Sequence, residues 1–188
     1  MQKLLESFYQ TNNMKKNQFK KEERFSLIEA KKIAEDILEQ LKPHCERIEI
    51  AGSIRRNKSD IGDIDLVCIP KKYETGLFST GIATVLDNFE KVKGDLIYGQ
   101  TRNAIRIHPK GITLDCYFCE SDNYGLIKTI RTGSENFNRA VLVPAINSAG
   151  YKCKDGYLTF EDEIIEVKEE ESLFKLIRLG YVEPEKRN

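Results

Sequence analysis

Asp63 and Asp65 stand two residues apart in the segment Gly62-Asp63-Ile64-Asp65-Leu66-Val67. Side chains alternate along a β-strand, so both carboxylates project to one face while Ile64 and Leu66 project to the other. Two carboxylates side by side repel each other, and a divalent cation removes that repulsion. A hard ion such as Mg²⁺ is typically held by one or two carboxylates together with substrate phosphates. Just upstream, Ala51-Gly52-Ser53-Ile54-Arg55-Arg56 supplies a Gly-Ser turn and two arginines. The turn offers backbone N–H groups and a hydroxyl, which suit a phosphate. Together these residues describe a metal–triphosphate site. A third carboxylate, Asp115, lies in Gly111–Phe118, where Ile112, Leu114, Cys116 and Phe118 face one way and Thr113, Asp115 and Tyr117 the other. On adjacent strands the three carboxylates can converge. Two metal ions about 3.5–4 Å apart would then activate a 3′-hydroxyl and stabilise a leaving pyrophosphate. Asp115 would bind the metal that touches the nucleophile and accept its proton.

The surrounding pattern supplies the elements that must hold these groups. Ser26 with Glu29 three residues on is a capping box, and Leu27, Ala30, Ile33, Ala34, Ile37, Leu38 and Leu41 follow at helical spacing until Pro43. Arg47–Ala51 reads as a strand leading into the Gly-Ser turn, and the segment from Gly62 to Pro70 as a second strand. The Gly76–Phe89 region reads as partly helical. Lys91-Val92, Ile97-Tyr98 and Thr101–His108 read as strands. A boundary is expected near Asn123–Gly125. Beyond it, Ser134–Ala149 reads as a helix that Pro144 can kink. Tyr151–Phe160 reads as a hairpin around Asp155-Gly156, and Ser172–Leu179 as a final helix with Gly180 at its C′ position.

Bulk properties bound the alternatives. The chain of 188 residues has 40% hydrophobic and 32% charged residues, as a soluble globular protein does. No apolar run is long enough for a membrane span, and the N-terminus has no signal-peptide core. An odd number of cysteines, five, argues against a disulfide framework and for a reduced, cytoplasmic protein. The formal net charge is zero, but Lys15, Lys16, Lys20, Lys21 and Arg24 concentrate positive charge near the N-terminus. Residues 1–25 form either a basic arm able to hold phosphate backbones or a solvated leader. The acidic run Glu161–Glu171 reads as a solvated face that repels DNA. Cys116-x-x-Cys119 has redox or zinc spacing, but no second pair accompanies it, and buried apolar cysteines are the better reading. His44 and His108 point only to packing or turn roles. GxGxxG and GxxxxGK[ST] fingerprints are missing, which disfavours Rossmann and P-loop enzymes.

Gly52-Ser53 followed by Asp63-Ile64-Asp65 resembles the nucleotidyltransferase superfamily built on the DNA polymerase beta palm. Thr132-Gly133-Ser134-Glu135-Asn136-Phe137-Asn138 is similar to the segment joining palm and thumb in family X DNA polymerases. The tail Leu179–Arg187 is similar to the end of their thumb. The resemblance spans roughly residues 26–188. It implies an α+β fold: a nucleotidyltransferase palm of mixed sheet and flanking helices at 26–124, then a small α/β thumb at 125–188. It further implies that Asp63, Asp65 and Asp115 bind two Mg²⁺ ions, with Mn²⁺ as a substitute. Gly52, Ser53, Arg56 and the backbone around Gly62 would grip the β/γ phosphates. Gly133 would meet the incoming sugar and base, Glu135 would lie near the base, and Asn138 would bond its minor-groove edge. Thr101 and Arg102 would contact the DNA backbone. The implied partners are a dNTP and primer-template or gapped DNA, for a monomer with no membrane association in a bacterial or phage-infected cell.

The sequence also departs from that pattern. An aromatic pair before the Thr-Gly in polymerase beta is replaced by Ile130-Arg131, and a basic residue near the primer terminus by Thr113. Nothing before Ser26 resembles a helix-hairpin-helix clamp or a lyase domain, and no phosphoesterase domain follows the thumb. The palm-plus-thumb plan is similar to that of the smallest viral family X enzymes, and the Ile130-Arg131-Thr132-Gly133-Ser134 pattern resembles short phage- and bacterium-borne members. The expected activity is templated short-gap filling in DNA repair at low processivity. Two alternatives remain: a template-independent nucleotidyltransferase acting on DNA ends, RNA or a small molecule, and a non-catalytic nucleic-acid end-binding module.

Overall fold

Ser26 begins the first helix as its sequence predicts. In the computed structural model, which describes residues 24–71, 80–93 and 103–188, the Glu29 N–H donates to Ser26 Oγ at 3.3 Å and the Ser26 N–H to Glu29 Oε2 at 3.2 Å. Strand β1 (Phe25–Ser26) leads directly into helix α1 (Leu27–Leu41). Phe25 packs on the main core, so the folded unit starts before the expected arm ends at residue 25. Helix α1 buries Ala30, Ile33, Ala34, Ile37 and Leu41, and a 3-10 turn containing Pro43 follows it.

Strand β2 (Cys45–Ile50) then runs into a single helical turn, α2 (Gly52–Arg55). Strand β3 (Asp60–Ile61) pairs antiparallel with β1, and β4 (Asp63–Pro70) follows. Helix α3 (Thr80–Leu86) precedes β5 (Glu90–Lys93), β6 (Asn103–Ile107) and β7 (Thr113–Phe118). The five-stranded sheet has the order β2-β4-β7-β6-β5, with β4 and β7 parallel and the other neighbours antiparallel. Ile64 and Leu66 on β4 and Ile112, Leu114, Cys116 and Phe118 along β7 share one core with α1 and α3, the face their alternation predicts. The expected strand at Ile97-Tyr98 lies outside the described residues.

Helix α4 (Tyr124–Thr132) covers the opposite face. Its Tyr124 and Ile127 pack with Val67, Ile69 and Tyr117, while its Leu126 belongs to a second core with Phe137, Leu158 and Phe174. One helix thus serves both units. The helix expected over Ser134–Ala149 runs through contiguous helical backbone: α5 (Glu135–Phe137), a π-helical turn over Asn138–Leu142, and α6 (Val143–Ser148). Pro144 has no N–H to donate to the carbonyl four residues back, and the wider i→i+5 turn just before it absorbs that loss.

Strands β8 (Lys152–Lys154), β9 (Tyr157–Phe160) and β10 (Glu163–Ile165) form an antiparallel meander. Asp155 and Gly156 both take positive φ, 52° and 85°, as a two-residue hairpin turn of the primed type requires. The last helix, α7 (Glu170–Leu176), begins and ends earlier than expected. Arg178, at φ 54°, is its left-handed C′ residue, and Gly180 does not take that role. The Leu179 N–H donates to Phe174 O at 3.0 Å and the Arg178 N–H to Lys175 O at 3.2 Å, a Schellman closure.

Candidate functional site

The parallel pairing of β4 with β7 sets Asp65 directly across from Asp115 and Asp63 across from Thr113. Both carboxylates of the pair leave the sheet on the face opposite the main core. Asp63 and Asp65 are half-buried and Asp115 is buried. The Ala51 N–H donates to Asp65 O at 2.8 Å, which ties the Gly-Ser turn to the strand. Gly52 has φ +61°, and a Cβ there would lie 1.9 Å from Asp65 Oδ2. Only glycine lets the backbone approach this carboxylate so closely. Ser53 Oγ and Arg56 Nε are buried beside it without a hydrogen-bond partner. Burial draws the Arg56 guanidinium below its usual pKa, and attraction to Asp65 and Asp63 opposes that.

Among the described residues no group of three or more His, Cys, Asp and Glu side chains is arranged to hold a metal ion. Asp115 Oδ2 accepts a hydrogen bond from the Tyr117 hydroxyl at 3.1 Å. Register places Asp65 and Asp115 opposite each other on neighbouring strands.

A residue that the sequence leaves in the basic arm joins this site. Arg24 Nε lies 3.4 Å from Asp60 Oδ2, and a Cβ on Gly62 would lie 2.6 Å from Arg24 Nη1. The β1–β3 ladder delivers Arg24 to the segment that immediately precedes β4 and its Asp63. The one local signal is its place just before Phe25 and the Ser26 cap.

Arg55 and Arg56 hold the second unit to the first. Arg55 Nη1 donates to Thr132 Oγ1 at 2.7 Å and to Glu170 Oε1 at 2.9 Å, and Arg56 Nη1 donates to Thr132 O at 2.6 Å. Glu170 is buried and also accepts from Arg187, itself fully buried. Burial alone would raise the Glu170 pKa, but the hydrogen bonds and charges of Arg55 and Arg187 outweigh it and hold the carboxyl at about 2. Arg47 bonds Glu169 in two places, at 2.7 and 3.0 Å. The acidic run is therefore not uniformly a solvated face, since Glu169 and Glu170 tie the two units together. None of the three arginine partners, Arg47, Arg55 and Arg187, is a neighbour in sequence, which is why the run reads as solvated.

The Thr132–Asn138 segment is braced from within. Ser134 Oγ accepts from the Phe137 N–H at 3.1 Å, and the Ser134 N–H donates to Arg187 O at 2.9 Å. Asn138 is buried and donates from Nδ2 to Ile130 O at 2.8 Å and Gly133 O at 3.3 Å. A Cβ on Gly133 would lie 2.3 Å from Asn138 Oδ1. Asn138 here shapes the turn, so that side chain is turned inward. Glu135 is exposed. The expected DNA contacts Thr101 and Arg102 lie outside the described residues.

All five cysteines are free thiols. Cys116 and Cys119 are buried, Cys119 Sγ donates to Cys68 O at 3.3 Å, and burial pushes the Cys119 thiol up to about 12. Such thiols are inert at neutral pH. His108 stacks on Phe89 at 5.4 Å. No helix among the described residues is long and apolar enough to cross a membrane.

Residues 129–188 match the family described as DNA polymerase beta thumb. The chain is thus an α+β protein whose C-terminal third is similar to that thumb, which supports a relationship to the polymerase beta-like, family X proteins. No curated protein matches the chain.

Proposed function

We propose that the chain is a family X type DNA polymerase, which adds dNTPs to a primer 3′-end opposite a template and fills short gaps. The observation that carries this reading is the register of Asp65 against Asp115 beside the Gly52 cradle, in a chain that ends in a polymerase-type thumb. The donor set fits a hard divalent cation: carboxylate oxygens, with the partnerless Ser53 Oγ and Arg56 Nε beside them for phosphate oxygens. Two Mg²⁺ ions, held by Asp63, Asp65 and Asp115, would neutralise the triphosphate and lower the pKa of the primer hydroxyl. Ser53 and the Gly62 backbone would bond the β/γ phosphates. Arg56 and Arg24 would offset their charge. Asp115 would take the proton of the primer hydroxyl. Gly133 and Glu135 would border the incoming nucleotide, with Asn138 fixing the shape of their turn. Thr101 and Arg102 would meet the DNA backbone.

One observation favours a second reading, template-independent addition. Arg131, in place of an aromatic residue, stacks on Tyr117 instead of standing open beside the site. Primer extension on a one-nucleotide gap, with each dNTP and rNTP offered singly in Mg²⁺, separates the two. Addition of the complementary dNTP alone is the expected result. Indiscriminate addition would favour the second reading, and no addition to any gapped, recessed or single-stranded primer would sink both.

A further inference from the structure

Tyr117 lies two residues beyond Asp115 on β7, so both side chains emerge on the same face of the sheet. Both are buried, at 6% and 2% exposure. The Tyr117 hydroxyl donates to Asp115 Oδ2 at 3.1 Å. A buried tyrosine needs a hydrogen-bond partner. Here the partner is the carboxylate assigned to the reaction, where a main-chain carbonyl would have served packing alone. On the other side of the ring, the Arg131 guanidinium carbon stands 3.9 Å from its centroid. A cation over an aromatic face at that distance is attracted by the ring, more strongly where water is excluded. Arg131 belongs to the last turn of α4, and the next residue, Thr132, is gripped by both Arg55 and Arg56. A continuous set of contacts therefore runs from the thumb junction to the third carboxylate.

We infer that Arg131 and Tyr117 are positioning residues for Asp115. Arg131 clamps the ring, and the hydroxyl engages one carboxylate oxygen and fixes how the carboxylate is presented to a divalent ion. Groups that bond a ligating carboxylate from behind typically change metal affinity or activity by about 10–100-fold when removed. Arg131 does so from the thumb junction, so the position of the thumb bears on the metal site. The inference rests on the reading of Asp115 as a metal ligand.

The test is a Mn²⁺ titration of the full chain followed by electron paramagnetic resonance, alongside single-nucleotide incorporation kinetics. It compares the unaltered chain with Asp115→Asn, Tyr117→Phe, Arg131→Leu and Arg131→Lys, each checked by thermal melting. Tyr117→Phe is expected to weaken Mn²⁺ binding by about 10-fold or more. Arg131→Leu should weaken it by a smaller factor, with Arg131→Lys restoring most of the loss. In turnover, kcat should fall more than KM for the nucleotide rises. Should Tyr117→Phe fail to fold, the Arg131 pair carries the test. If the unaltered chain binds Mn²⁺ and Asp115→Asn weakens it, but Tyr117→Phe and Arg131→Leu bind as the unaltered chain does, this inference alone is overturned. If Asp115→Asn changes nothing, the assignment of Asp115 falls and the inference with it.

Discussion

Around Glu170, in the C-terminal unit, a buried carboxylate is met by Arg55 and Arg187 within the same chain. Around Asp65, in the sheet unit, two carboxylates share a strand and a third faces them across the register, with Arg56 drawn partly towards Thr132. Both regions concentrate charge away from water, which is costly unless the charge is matched. The junction matches it internally and gains rigidity. The sheet sets its carboxylates side by side on two central strands, close to Arg56. Glu170 is met by arginines from two distant segments, whereas on the proposed reading the sheet carboxylates would take a divalent ion in addition to their neighbours in the chain.

Crossing the two regions by mutation sharpens this contrast. Asp65→Asn should lower nucleotide incorporation by roughly 10³-fold or more, the scale expected when preorganised charge at a reacting centre is lost. Its urea midpoint should change far less than its activity, because Asp65 is only half-buried. Glu170→Ala should do the reverse, costing about 3–5 kcal/mol of stability by stranding two arginines. A urea melt in which Glu170→Ala matched the unaltered chain would dissolve the comparison.

The glycines give a second contrast. Gly52→Ala forces a left-handed φ of +61° on an L residue and places a methyl 1.9 Å from Asp65 Oδ2. The backbone alone costs about 1–2 kcal/mol, and incorporation should fall with stability. Gly180→Ala meets nothing within 4 Å. It should change stability by no more than about 1 kcal/mol, in the stabilising direction. Thermal melts of both variants check this.

Acid titration gives the next effect. The Glu170 pKa, held at about 2, lies below the value of about 4.3 for an unfolded glutamate. A depressed folded pKa contributes stability that is fully present above about 4.3 and is lost as pH falls towards about 2. Urea midpoints measured between about pH 5 and about pH 2.5 should fall more steeply for the unaltered chain than for Glu170→Ala. The smallest effect belongs to the exposed acids of the same run. Glu163→Gln should stay within about 0.5 kcal/mol at every pH, and a larger shift would show that the run acts as one unit.

Much of this architecture could be read from local periodicity. The Ser26–Glu29 capping box, the faces of β4 and β7, and the Asp155-Gly156 hairpin each depend on residues within a few positions of one another. Such patterns hold wherever the chain goes, because backbone geometry repeats every two residues in strands and every 3.6 in helices. Where boundaries slipped, a competing local effect decided them. A π turn before Pro144 widens one turn of the expected long helix, and Arg178 took the left-handed position expected for Gly180.

The sequence by itself determined which carboxylates share a strand face and which glycine-serine turn stands beside them. That information lies in alternation and short spacing. Only the tertiary structure decided that Asp65 faces Asp115, that Arg24 reaches Gly62, and that Glu170 is locked by an arginine 115 positions away. A charged residue carries no sequence mark of its distant partner. Its burial, its protonation and its task are set by whichever group the fold brings to it.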